Sequence, residues 1–280
     1  FSPIATNYEL PNVRSNFNLS ILYGRVGTID GMQFGSGVVY ASRAVDGAQL
    51  AGAVALSAGP VDGAQISGAY DMAEGKMSGA QLSGGANVAL KDMWGAQVTG
   101  AANVVRGTVR GLQLSGAANV ATGAVDGAQL SSVNVAGPID GAQVGVINIA
   151  RKVRGAQVGV INVAEEVDGA AIGLVSISKD SIHPIAWTSN LQYMNAGIKF
   201  TTKYMYTLVG VHYGTLEGDF DNIGTTAAIG GHIPLPAGFD IEIQNAMTHL
   251  IPRPSQSTKD GNLWIAYQAM AGYSFASHLR

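Results

Sequence analysis

The sequence predicts an all-β protein, and three observations carry that expectation. From Ile29 to about Ser178 one phrase recurs ten times. Within each copy, apolar residues alternate with small or polar ones at period two, which is the pattern of a strand. Charge is nearly absent from the middle of these runs. Together they favour a transmembrane antiparallel β-barrel of about 16–18 strands built largely from single-strand repeats. The alternative is a β-solenoid of 14–16-residue coils followed by antiparallel hairpins.

Composition points the same way. Only 12% of the 280 residues are charged, against about 25% in an average soluble protein. There are 38 glycines, and the mean hydropathy is positive. Gly, Gln, Ser and Asn interrupt every apolar run before it reaches the roughly 18 residues of a membrane helix, so contact with lipid would be through strands. A net charge of -3 without a basic cluster argues against nucleic acid. The absence of cysteine removes disulfide and thiolate chemistry. The chain opens on Phe1 rather than Met and shows no signal peptide, as a mature exported protein or a trimmed chain would.

Taken in order, residues 1–16, with Pro3 and Pro11, read as an irregular arm. Residues 17–280 read as a single barrel domain, with the repeats over 29–178 and a hairpin region over 182–275. Phe17 to Tyr23 alternates strictly and is expected to pair with the strand ending at Phe275, closing the barrel. The phrase then opens at Ile29, Val45, Val61, Met77, Met93, Val109 and Val125 in steps of 16, and at Ile139, Val153 and Val167 in steps of 14. Its third residue is always Gly. Its fifth is Gln except in the last copy, which has Ala171.

In the copy at Met77, Ala80, Leu82, Gly84, Ala86 and Val88 share one face, and Gln81, Ser83, Gly85, Asn87 and Ala89 the other. Nine residues at about 3.3 Å each reach about 30 Å, enough for a tilted strand to cross an apolar band of about 25 Å. No corner is visible within the 16-residue copies, which weighs against coils. On the other side, identical units stack most naturally in parallel with Gln above Gln, and an apolar face rich in Ala and Gly suits a thin solenoid core. In the 14-residue copies the apolar face switches after Val146, which calls for a bulge or corner near Ile147.

Charges fall in the junctions: Asp46, Asp62, Lys76, Asp92, Arg106, Arg110, Asp126, Asp140, Arg154 and Asp168. Asp71 is the exception, and it lies on the Gln/Asn face. After Ser178 the hairpins are plain. Gly197–Phe200 pairs with Tyr204–Tyr213, Ile223–Ile233 with Phe239–Thr248, and Leu263–Phe275 is a last strand. Short and long connections alternate, as in a membrane barrel.

The phrases Gly141-Ala-Gln-Val-Gly-Val-Ile-Asn148 and Gly155-Ala-Gln-Val-Gly-Val-Ile-Asn162 resemble the surface-repeat proteins of Gram-negative bacteria. So do Gly173–Ile177, Asn195–Lys199 and Tyr206–Gly210, and the likeness covers most of residues 17–275. It implies a place in the outer membrane or at the cell surface, and it carries over no catalytic residue. The chain departs from outer-membrane barrels in ending Ser277-His-Leu-Arg280, which leaves Phe275 as the terminal aromatic.

No nucleophile elbow, His-Glu-x-x-His or phosphate loop is present, so no enzyme activity and no cofactor is expected. His183, His212, His232, His249 and His278 read as rim or lumen polar residues. Glu217, Asp219, Asp221 and Asn222 place oxygen ligands in one loop suited to Ca²⁺, without the EF-hand order. A solvated acidic loop is the simpler account. In a barrel the lumen would be lined by Gln33, Gln49, Gln65, Asp71, Gln81, Gln97, Gln113, Gln129, Glu242, Gln244 and Gln268. In a solenoid the Gln column would be a structural amide ladder. The expected function is a pore or a structural protein of the bacterial outer membrane, in contact with lipid and other envelope proteins but not nucleic acid. The alternative is a cell-surface solenoid for adhesion or assembly.

Overall fold

Successive repeats lie in parallel with like residues side by side. Gln81 pairs with Gln65 and Gln97, and Asn103 with Asn87 and Asn119. The repeats therefore form a β-solenoid, followed by a separate antiparallel sheet, and the expected closed barrel is corrected. The reason is the period. Each repeat completes one coil and returns its strands in the same direction, which gives parallel ladders, whereas an up-and-down barrel reverses every second copy. The structure, a computed structural model, describes residues 5–6, 13–179, 181–187, 192–202, 204–215, 223–236, 239–251 and 263–273. It divides into two compact units, Phe1–Gly159 and Val160–Arg280.

In the first unit each 16-residue coil holds two strands. In the coil at Met77 these are Met77–Ser83 and Ala86–Ala89, with corners at Gly84-Gly85 and Leu90–Asp92. The corner that the sequence did not betray is two residues long. It preserves odd and even, so the alternation runs through it unbroken. The step to 14 residues has an equally local cause. Leu114, Ala118 and Val125 stack on Leu130, Val133 and Ile139, so the shorter coil omits one residue at each of two corners. The corner expected near Ile147 lies at Gly145-Val146.

The third-position glycine is a conformational requirement. Gly95 has φ of 124°, a region L-residues rarely adopt, and a Cβ there would stand 2.0 Å from the Gly79 carbonyl oxygen. Residues Arg14–Ser20, expected to close a barrel against the C-terminal strand, instead pair in parallel with Tyr23–Gly35 through Phe17 and Met32. They form the first rung of the stack.

The interior reverses the expected thin apolar core. Gln and Asn point inward, together with the first residue of each phrase (Ile29, Val45, Val61, Met77, Met93, Val109) and a column of small residues such as Ala73, Ala89 and Ala121. Leu82 and its equivalents point outward.

In the second unit, the last repeat strands, Ile161–Val167 and Val175–Ile177, pair in parallel. A six-stranded antiparallel sheet follows: β1 (Ile182–Trp187), β2 (Gln192–Thr201), β3 (Met205–Thr215), β4 (Ile223–Pro234), β5 (Phe239–Ile251) and β6 (Leu263–Tyr273). The expected hairpins are all present, with Thr201 opposite Tyr206 and Pro234 opposite Asp240. The sheet is concave. Lys199 of β2 bonds to Glu242 of β5 although two strands lie between them, a separation of about 14 Å in a flat sheet. Glycines make room on this inner side: a Cβ at Gly230 would meet the Tyr206 ring at 2.4 Å, and one at Gly224 the His212 ring at 2.2 Å.

Candidate functional site

The Gln column is a continuous buried ladder. Each Nε2 donates to the Oε1 one coil back, from Gln49→Gln33 through Gln157→Gln143, at 2.6–2.9 Å. Its second donor reaches a backbone carbonyl across the coil, as from Gln81 to Val88 at 3.1 Å. All nine amides, Gln33 to Gln157, are fully buried. Gln33, Gln49, Gln65, Gln81, Gln97, Gln113 and Gln129 therefore fill the coil interior, and the expectation that they line an open barrel lumen is corrected. Polar side chains can occupy a core when their donors and acceptors are met, and here they meet one another.

A second ladder runs beside it through Asn87, Asn103, Asn119, Asn134 and Asn148 at 2.9–3.0 Å. Asp71 occupies the rung before Asn87 and pairs with it in register. It is fully buried, neither carboxyl oxygen has a hydrogen-bond partner, and the Oδ1 of Asn87 accepts none. Burial pushes its pKa from 3.8 up to about 7. The Ser67 hydroxyl and the Leu82 backbone oppose that shift in part, without reaching good hydrogen-bond geometry.

Outside, the solenoid is two-sided. Phe34, Leu50, Ile66, Leu82, Val98, Leu114, Leu130, Val144 and Val158 stack in register. Around the Gly84-Gly85 corner a second column follows through Leu56, Met72, Val88, Val104, Val120, Val135 and Ile149. These residues are half exposed, Leu82 at 39%. The charges gather at the opposite corner and at the second position of the long strand, as with Lys91, Asp92, Arg110 and Asp126. Trp94 sits among them with Lys76 and Arg110 against its ring. The outer columns were visible in the sequence as the alternating apolar face. The barrel reading already turned them outward; that the inward Gln and Asn are dry was hidden, because these residues are normally the wet half of an alternation.

Glu242, Gln244 and Gln268, the remaining lumen candidates, share the concave side of the sheet. The Tyr206 hydroxyl donates to Gln244 Oε1 at 2.9 Å, and Gln244 Nε2 donates to Gln268. His232, Asp240 and Glu242 bring one ligand atom each within 4.8 Å of the others. The ammonium of Lys199 already bonds to Glu242, so one of the two carboxylates is paired within the protein, and the cluster carries no case for a metal. Glu217, Asp219, Asp221 and Asn222 lie outside the described residues, as does His278.

Among the described residues no helix is long and apolar enough to cross a membrane, which says nothing about strands. In comparisons with protein families, curated proteins and solved structures, the chain matches none.

Proposed function

We propose that this chain is a non-catalytic protein of the Gram-negative cell surface whose solenoid serves adhesion or assembly. The observation that supports it is the pair of register-matched apolar columns flanking the Gly84-Gly85 corner, with charges sparse along them and gathered toward the Leu90–Asp92 corner. Solenoid stacks present extended surfaces, and columns repeating at about 4.8 Å offer a partner many equivalent contacts at once. An apolar patch on this scale exceeds what monomeric proteins ordinarily expose and marks an interaction face. A pore is not supported, because the coil interior is filled by its own amides.

The test displays the full chain on a surrogate Gram-negative host and measures cell–cell aggregation and retention on coated surfaces. A triple variant, Leu82→Ser, Leu114→Ser and Val144→Ser, should lose most of both. Asp46→Asn with Asp126→Asn should retain them. Equal behaviour of the two variants, each folded by circular dichroism, would sink this reading.

A further inference from the structure

We propose that the convex face of the six-stranded sheet is a lipid-contact surface, seated against the acyl chains of a bilayer. The inference stands apart from whatever the solenoid binds. Strands β2 to β6 are 10–13 residues long. At about 3.3 Å per residue and a tilt of about 45° they cover roughly 23–30 Å, the height of the apolar band of a membrane sheet.

The two faces differ in charge, although Leu208, Ala228 and Ala246 are buried on the concave side and Asn245 and His249 share the convex one. Val211, Ile229, Ile243 and Ile265 point outward, Ile243 at 60% and Ile265 at 62% exposed. Alternate residues, among them Lys199, Asp240, Glu242 and Gln244, turn to the concave side. Among the described residues of β2 to β6 no Asp, Glu, Lys or Arg lies on the convex face. Tyr213, Phe239 and Tyr267 supply aromatic side chains there, Tyr213 and Phe239 near strand ends.

Curvature selects the occupant. A folded partner would need a matching apolar trough, and two convex faces from two copies touch only along a line. Acyl chains conform to a convex wall. Five strands at about 4.8 Å and a height of about 25 Å present roughly 600 Å², at the upper end of the largest patch a typical monomer exposes. Within the sheet β1 and β6 are each paired on one side only. Hydrocarbon leaves no water to satisfy their outer edges, so the inserted form also joins those edges to further strands.

The chain has no cysteine, so single cysteines report one position each. The full chain carrying Ile241→Cys, Glu242→Cys, Ile243→Cys, Gln244→Cys or Met247→Cys is labelled with an environment-sensitive fluorophore. It is then mixed with vesicles of phosphatidylcholine and phosphatidylglycerol that contain brominated acyl chains. Probes at 241, 243 and 247 should shift to the blue and be quenched several-fold more than those at 242 and 244. A probe at Leu82→Cys on the solenoid should stay unquenched. Three results would overturn the proposal: no flotation with vesicles, alternation without quenching by lipid (a protein interface), or equal quenching at Leu82→Cys (indiscriminate adsorption).

Discussion

Gln97 donates from Nε2 to the Oε1 of Gln81 at 2.6 Å, and its own Oε1 accepts from Gln113 at 2.9 Å. That contact decides the architecture, because neighbouring strands running in opposite directions would carry these two residues to opposite ends. It also makes the interior of the solenoid a chain of amides in which each side chain depends on two neighbours.

Gln97→Ala should therefore be costly out of proportion to its size. It strands the Gln81 oxygen and one Gln113 donor in a dry core, and each unsatisfied buried group costs about 1–3 kcal/mol. A loss of about 2–5 kcal/mol is expected in denaturant unfolding. Leu82→Ala, on the half-exposed outer column, should cost under about 1 kcal/mol. Similar losses for the two would mean that the ladder is incidental.

Gly95→Ala tests the backbone separately. The added Cβ meets the Gly79 carbonyl at 2.0 Å, and φ is 124°, so both strain and collision oppose it. We expect a loss of at least about 3 kcal/mol, against little change for Ala96→Ser one position on. A folded variant with an unaltered melting midpoint would contradict the geometry.

Asp71 predicts a pH dependence of definite sign. Its pKa is raised from 3.8 to about 7 in the folded chain, so between those values the native state holds a proton that the unfolded state has released. Stability is then full below about pH 4, falls as pH rises, and levels off above about pH 7. Three pKa units correspond to about 4 kcal/mol as an upper bound. Asp71→Asn restores a donor toward Asn87 Oδ1 and should flatten this part of the profile, so that the variant outlasts the parent above pH 7 and gains little below pH 4. Parallel profiles for parent and variant would refute the assignment.

The stack should also be countable in whole coils. Deleting residues 93–108 removes one period and lets Gln113 meet Gln81 in the register now held by Gln97, so the protein should fold with a modestly lower melting midpoint. Deleting residues 93–100 alone breaks both ladders and should abolish cooperative melting. Circular dichroism of the two deletions distinguishes these outcomes.

Much of this was legible in the residues. The repeat register and the C-terminal hairpins lie where the spacing places them. Of the charges expected in junctions, Lys76, Asp92, Arg106, Arg154 and Asp168 fall between strands, whereas Asp46, Asp62, Arg110, Asp126 and Asp140 lie within them. Two features misled for physical reasons. Gly84-Gly85 turns the chain through a corner of even length, so period two passes across it and mimics one long strand. Gln and Asn are read as the wet half of an alternation, yet a repeat lets each amide find its own copy one coil away, and a buried polar column becomes stable only through that periodicity. The Asp71 site was visible as a charge out of place, and its meaning needed the neighbouring Asn87. The concave cluster around Glu242 could not be assembled from sequence, since Lys199 and Glu242 are 43 positions apart.

The two amide columns point in opposite directions. Every glutamine gives its proton toward the N-terminal coil, as Gln97 to Gln81, while the asparagines give theirs toward the C-terminal coil, as Asn87 to Asn103. Backbone carbonyls enforce both orientations: Val88 takes the second proton of Gln81, and Val98 one from Asn87. The side-chain dipoles of the columns therefore oppose one another, and their contributions along the stack axis largely cancel. Each added coil extends both columns by one amide of each sense, so the cancellation holds whatever the number of coils. The unmet Oδ1 of Asn87, first of the asparagine column, and Oε1 of Gln157, last of the glutamine column, are the same acceptor left over twice, once from each column.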